Sequence, residues 1–171
     1  MLVFVLLVLC LIYIFYQDLR YRAVYWWTFP LLLTLILIAL FNTDGFDGWL
    51  EGTLLNLAFL ALQLLVVMLY FSLKEHRLVN ITQGYLGLGD VLFLFCAACY
   101  LSPLVFFAFY LVSLVFCMVV AFLLWLKSSE GVNRIPLAGL QAVFLALCLL
   151  LGRFCELPDW VNDRNLQLLF F

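Results

Sequence analysis

The stretch Val91-LFLFCAACY-LSP-LVFFAFYLVSLVFCMVVAFLLW-Leu126 holds 36 consecutive residues without a charge. As one straight helix it would run about 54 Å, far more than the ~30 Å hydrocarbon core of a bilayer. Leu101-Ser102-Pro103 supplies the break, because proline lacks an amide hydrogen and its ring clashes with the preceding turn. The stretch therefore reads as two helices folded back on each other, with Ser102-Pro103 at one face of a membrane. Charges mark the other crossings on either side. Residues 2–17 end at Asp18-Leu-Arg-Tyr-Arg22, and residues 23–41 end at the turn-rich Asn42-Thr-Asp-Gly-Phe-Asp-Gly48. Residues 52–73 end at Lys74-Glu-His-Arg77, and residues 135–152 follow the polar loop Lys127 to Arg134. The expected fold is an all-α polytopic membrane protein of six transmembrane helices, read as a single domain over residues 1–171.

Composition agrees with lipid as the solvent. Hydrophobic residues make up 69% of the chain against about 45–50% in soluble domains, and charged residues only 11%. With a mean hydropathy of +1.24, a water-soluble globule is excluded. A net charge of −2 excludes a nucleic-acid binder as well, since neutralising several phosphates needs a basic stripe. The six cysteines lie mostly inside apolar runs, where each acts as a small hydrophobe rather than part of a disulfide framework. Residues 1–16 lack a basic n-region and a small-residue cleavage pattern, so they read as an uncleaved span.

Orientation follows from lysine and arginine, which short cytoplasmic loops accumulate. Of the 8 basic residues, Arg20, Arg22, Lys74, Arg77, Lys127 and Arg134 fall after spans one, three and five, and none falls after spans two and four. The N terminus is expected outside, and with six spans so is the C terminus.

Two aspartates stand apart from the loop acids. Asp90 lies 12 residues before Ser102, about 18 Å of helix, so it falls short of the far membrane face and sits at inner-leaflet depth. A carboxylate there costs roughly 2.5–3.5 kcal/mol to insert and marks a functional site by default. Gly84, Gly87 and Gly89 precede it, and glycines weaken a helix while letting another backbone come close. Asp18 ends span one on the cytosolic side. Two crossings, spans two and three, separate the two, so both carboxylates arrive on one side and can meet. The plain alternatives are a helix-start carboxylate for Asp90 and an interfacial acid paired with Arg20 or Arg22 for Asp18.

Gly87-Leu88-Gly89-Asp90, Asp18-Leu19-Arg20-Tyr21-Arg22 and Ile135-Pro136-Leu137-Ala138-Gly139 together resemble the type IV prepilin peptidases, the GxGD aspartyl proteases of prokaryotic membranes. The resemblance implies Asp18 and Asp90 as the catalytic pair, Gly87, Gly89 and Pro136 as active-site loop residues, and no metal or cofactor. It implies prepilin, pseudopilin or preflagellin-like substrates cut at the cytosolic face, and a place in the prokaryotic inner membrane within type IV pilus assembly or protein secretion. Two positions depart from the family: Leu92 stands where a lysine is usual, and Val24-Tyr25-Trp26 where Ile-Pro-Asn is usual. The zinc-binding insertion of larger relatives is absent, and Cys96-Ala-Ala-Cys99 lies inside an apolar span without a second pair, which suits packing rather than zinc. His76 reads as a solvated loop residue and Tyr25-Trp26-Trp27 as an interfacial belt. Rival readings are a presenilin or signal-peptide-peptidase type protease, in which a tyrosine rather than Gln17 would precede the first aspartate, and a non-enzymatic membrane protein using Asp90 as a proton relay.

Overall fold

A computed structural model describes residues 1–41, 48–75, 87–127 and 136–154. Among these the secondary structure is helical throughout: α1 (Leu2–Tyr21), α2 (Thr28–Phe41), α3 (Trp49–Glu75), α4 (Leu88–Tyr100), α5 (Pro103–Lys127) and α6 (Leu137–Phe154). By length and composition three helices can cross a membrane, Leu2–Tyr21, Trp49–Glu75 and Pro103–Leu123, while α2, α4 and α6 are shorter apolar helices. His76, Gly84 and Ile135 lie outside the described residues.

Helix ends follow local chemistry. Span one continues past Gln17 to Tyr21, where Arg22 turns left-handed with φ 54° and sends its amide to the Asp18 carbonyl. The second helix then starts at Thr28 rather than Ala23, because the chain spends the interval on a turn. The Gln17 side chain holds the Tyr25 amide at 3.1 Å, and the Thr28 hydroxyl donates to the Tyr25 carbonyl at 2.7 Å. Pro30 is tolerated inside α2 because it falls in the first turn, where amides have no intrahelical partner.

Packing contacts show successive helices reversing direction. α1 and α6 run antiparallel along their length: Asp18 meets Gly139 at one end, and Arg153 reaches Met1 at the other. α4 starts beside the start of α6 and ends beside the start of α3. α3 and α5 start together, with Gly52 against the Pro103 ring, where an added Cβ would sit 3.3 Å from Cδ. The core between these helices is apolar, built on Leu11, Ile14, Leu32, Ile36, Phe93 and Phe106.

The break at Leu101-Ser102-Pro103 leaves carbonyls of the last α4 turn without partners, a severe cost in a lipid setting. α3 supplies the donors. Trp49 Nε1 binds the Cys99 carbonyl at 2.7 Å, and Asn56 Nδ2 binds those of Ala98 and Leu101 at 2.9 and 2.7 Å. Asn56 is 2% exposed, so water cannot replace it. Asn56→Leu is therefore expected to lower stability by about 1–3 kcal/mol, as buried acceptors left unpaired do, read as an earlier thermal transition in detergent.

Lengths set the depth of the opposite end. α4 has 13 residues, about 20 Å, whereas α3 has 27, about 40 Å. Because α3 starts level with the end of α4, the start of α4 lies roughly halfway along α3.

Candidate active site

The first turn of a helix leaves amides without intrahelical acceptors, and the residue before it normally satisfies one through a side-chain oxygen. In α6 that residue is Pro136, whose carbonyl accepts from the Leu140 amide but whose ring offers no acceptor. Two aspartates from distant helices take the role instead. Asp90 Oδ1 accepts from the Ala138 amide at 2.7 Å, and Asp18 Oδ2 accepts from the Gly139 amide at 2.6 Å. These are consecutive amides, so the two bonded oxygens lie no more than about 8 Å apart. The positive end of the α6 dipole faces both.

Each carboxylate is also fixed by its own helix. Asp90 is in the first turn of α4, and its second oxygen, Oδ2, accepts from the Gly87 amide at 3.2 Å. The helix-start reading of Asp90 thus holds alongside the bond to α6, one oxygen serving each. Gly87 has little room for a side chain, since an added Cβ would lie 3.0 Å from Asp90 Oδ2. Asp18 is 7% exposed, one turn from the end of α1, which is too buried for a snorkelling interfacial acid. At Gly139 an added Cβ would come to 2.9 Å from Asp18 Cβ and 3.3 Å from the Phe15 Cα, so glycine is what lets α6 approach α1 this closely.

All five candidate residues lie at one end of the bundle. Asp18 and Asp90 meet on α6, Gly87 caps α4, Pro136 is buried where α6 begins, and Gly89 faces Val24 and Phe29 at ordinary contact distance. Leu92 is 39% exposed and takes no part in holding either carboxylate. Arg20 points away from the pair, donating to the Tyr16 hydroxyl at 2.9 Å and lying over the Tyr16 and Tyr21 rings. Cys96 and Cys99 are both buried in the core, Cys96 facing the Phe29 carbonyl.

The model of the type IV leader peptidase family matches residues 5–124. The chain belongs to the type IV leader peptidase family. Neither a curated protein nor a solved structure matches it. As a leader peptidase with three helices able to cross a bilayer, it is a membrane peptidase. The matched stretch contains Asp18, Gly87, Gly89 and Asp90, whereas the amides that hold the two carboxylates lie beyond it.

In this leader peptidase the site also involves groups that no side-chain pattern announces. The amides of Ala138 and Gly139 are backbone donors, and their residue types carry no chemical signature. Gln17, beside Asp18, and Gln141, two residues past Gly139, are 1% and 0% exposed. For these a signal exists, because a lone glutamine within an apolar run is costly in a membrane and points to a partner.

Proposed function

We propose that this leader peptidase is an aspartyl endopeptidase that removes the leader of type IV prepilin, pseudopilin or preflagellin-like substrates, with Asp18 and Asp90 as its catalytic pair. The observation that carries the proposal is the anchoring of both carboxylates on consecutive amides of one helix. Two carboxylates that grip one peptide bond between them share one proton, since ionising both is unfavourable. The ionised member takes a proton from water as the water oxygen adds to the scissile carbonyl carbon. The protonated member gives its proton to the carbonyl oxygen. When the tetrahedral intermediate collapses, the C–N bond breaks, the proton held by the first carboxyl passes to the leaving nitrogen, and one hydroxyl of the intermediate returns its proton to the second carboxylate as the new carbonyl forms. Metal and cofactor have no step in this scheme.

The proposal includes the membrane arrangement: six spans, both termini outside, and the pair at inner-leaflet depth in the cytoplasmic membrane of a prokaryote. The reversing helices support it, as does the start of α4 halfway along α3. Cysteine labelling is expected to place Lys74–Arg77 and Lys127–Arg134 on the cytosolic side and Asp44–Glu51 outside. Asp44 and Lys127 on one side would end the six-span arrangement.

Depth constrains the substrate. A scissile bond must reach the level of Asp18 and Asp90, which suits a short basic leader in the cytosol joined directly to an apolar helix. A glycine just before the cut is favoured, because it resists continuing the helix and lets the bond extend between the carboxylates. Mass spectrometry of a prepilin-like substrate incubated with the purified protein tests the proposal. Cuts at the leader junction are expected. Cuts in mid-helix would favour a signal-peptide-peptidase type activity, and no cleavage of several such substrates would favour a non-enzymatic role.

A further inference from the structure

One buried polar cluster stands outside the hydrogen bonds that fix the two carboxylates. Gln141 of α6 and Ser113 of α5 are both 0% exposed. Gln141 Nε2 approaches the Ser113 hydroxyl at 3.4 Å, and that hydroxyl donates to the Tyr110 carbonyl at 3.0 Å. The Tyr110 hydroxyl in turn is bonded by Gln63 of α3. Two acceptors are left over: Gln141 Oε1 and Gln63 Oε1 are buried and have no hydrogen-bond partner among the described residues. Turning the Gln141 amide round would let its oxygen accept from Ser113 but leave its NH2 group without that partner instead, so one end of the amide lacks a partner either way. A buried acceptor left bare in an apolar protein interior is costly, and the usual remedy is a water bonded to two or more polar groups.

The cluster adjoins the carboxylates. Gln141 is one helical turn from Ala138, the residue whose amide holds Asp90. On α5, Cys117 lies one turn from Ser113 and is buried. Gln141 thus lies about one turn, roughly 5 Å, along α6 from the amide that holds Asp90, with Ser113 beside it on the packed helix α5.

We propose that Gln141 Oε1 holds a buried water beneath Asp90 and that Gln141 is a positioning residue supplying water to the carboxylate pair. This rests on the aspartyl reading above only for its use in catalysis; the water site stands on Gln141, Ser113 and Asp90 themselves. Hydrolysis consumes one water for each bond cut, at a depth where the bilayer provides none. A fixed acceptor next to the reacting carboxyl keeps one within reach and oriented, its oxygen free to be taken up by the pair.

The test is X-ray radiolysis of the purified full-length protein in heavy-oxygen water, which labels side chains beside bound water even when bulk solvent cannot reach them. Cys10, buried in the apolar core, is the dry reference. Cys117 is expected to carry several times the label of Cys10 in the unmodified protein. In Gln141→Met, which keeps the side-chain length and helix preference but removes the acceptor, the label on Cys117 is expected to fall to the Cys10 level. Equal labelling of Cys117 and Cys10 in the unmodified protein overturns the proposal without needing the variant, and so does undiminished Cys117 label in Gln141→Met. With a cleavable leader substrate, the same variant is expected to lose on the order of ten-fold in kcat with KM unchanged, and unchanged kcat removes the catalytic use. Absence of cleavage by the unmodified protein would count against the aspartyl reading while leaving the labelling result intact.

Discussion

Asp18→Asn and Asp90→Asn should each lower leader cleavage by on the order of ten thousand-fold or more, since the proposed proton exchange needs both members. The double variant should be no worse than the poorer single one, because parts of one catalytic unit do not add. Stability should separate the two. An asparagine has one acceptor oxygen where aspartate has two. Asp18 bonds α6 through Oδ2 alone, so an asparagine in its place can keep the Gly139 amide satisfied. Asp90 uses both oxygens, on Ala138 and on Gly87, so an asparagine there must turn its NH2 group toward one of those amides. A loss of about 1–3 kcal/mol is expected for Asp90→Asn and little for Asp18→Asn, read by thermal unfolding in detergent. Cleavage retained in Asp18→Asn would remove Asp18 from the pair. Activity of the unmodified protein should be bell-shaped in pH: in acid both carboxyls are protonated and no base remains, and in alkali both are ionised and no acid remains. A profile with one limb only would mean that a single carboxyl does the chemistry.

Gly139→Ala should also lower cleavage by about a hundred-fold, although the residue does no chemistry. Its new methyl would meet Asp18 Cβ at 2.9 Å and the backbone of Phe15 at 3.3 Å. Neither can swing aside, since one is the root of a side chain and the other is main chain, so α1 and α6 must part. Separation by a fraction of an ångström to an ångström lengthens the Asp18 bond to the Gly139 amide and moves one carboxylate out of register with the other. Misplacement on that scale costs about a hundred-fold in rate. Because α1 and α6 also pack along the rest of their length, the variant should still insert and still be recovered from the membrane. Cleavage within a few-fold of the unmodified protein would show that the pair tolerates movement of α6. Gly89→Ala provides the contrast, since an added Cβ there meets only Val24 and Phe29 at 3.8 Å, and its effect should be small.

The order of the helices and the convergence of the two carboxylates were legible in the amino-acid order for physical reasons. Charges resist burial in lipid, so Asp18-Leu-Arg-Tyr-Arg22 and Lys74-Glu-His-Arg77 mark helix ends with little ambiguity, and Pro103 divides the long apolar run where α4 gives way to α5. The side of the bundle on which Asp18 and Asp90 appear follows from counting reversals. The start of α2 was less legible: hydropathy runs on from Ala23, but a side-chain acceptor on Gln17 and a left-handed Arg22 hold the chain in a turn until Thr28. The anchoring of the carboxylates could not be read at all, because amides are common to every residue and only the fold decides which helix start they meet. Gly139 carried a hint, as glycine in an otherwise apolar helix start, yet its partner on α1 is 121 residues away. Asn56 similarly announces a need for acceptors without naming the α4 carbonyls that fill it.

The use of one helix start to hold both aspartates also orders the events of synthesis. Asp18 and Asp90 leave the ribosome well before residues 138 and 139, so the growing chain carries two carboxylates whose amide donors have not yet been made. α6 is the last helix in the described structure, and its arrival both fills the gap beside α1 and brings the carboxylates together. On the proposed catalytic pairing, a chain that stops short of α6 lacks the amides that bring Asp18 and Asp90 together, and so would be inactive.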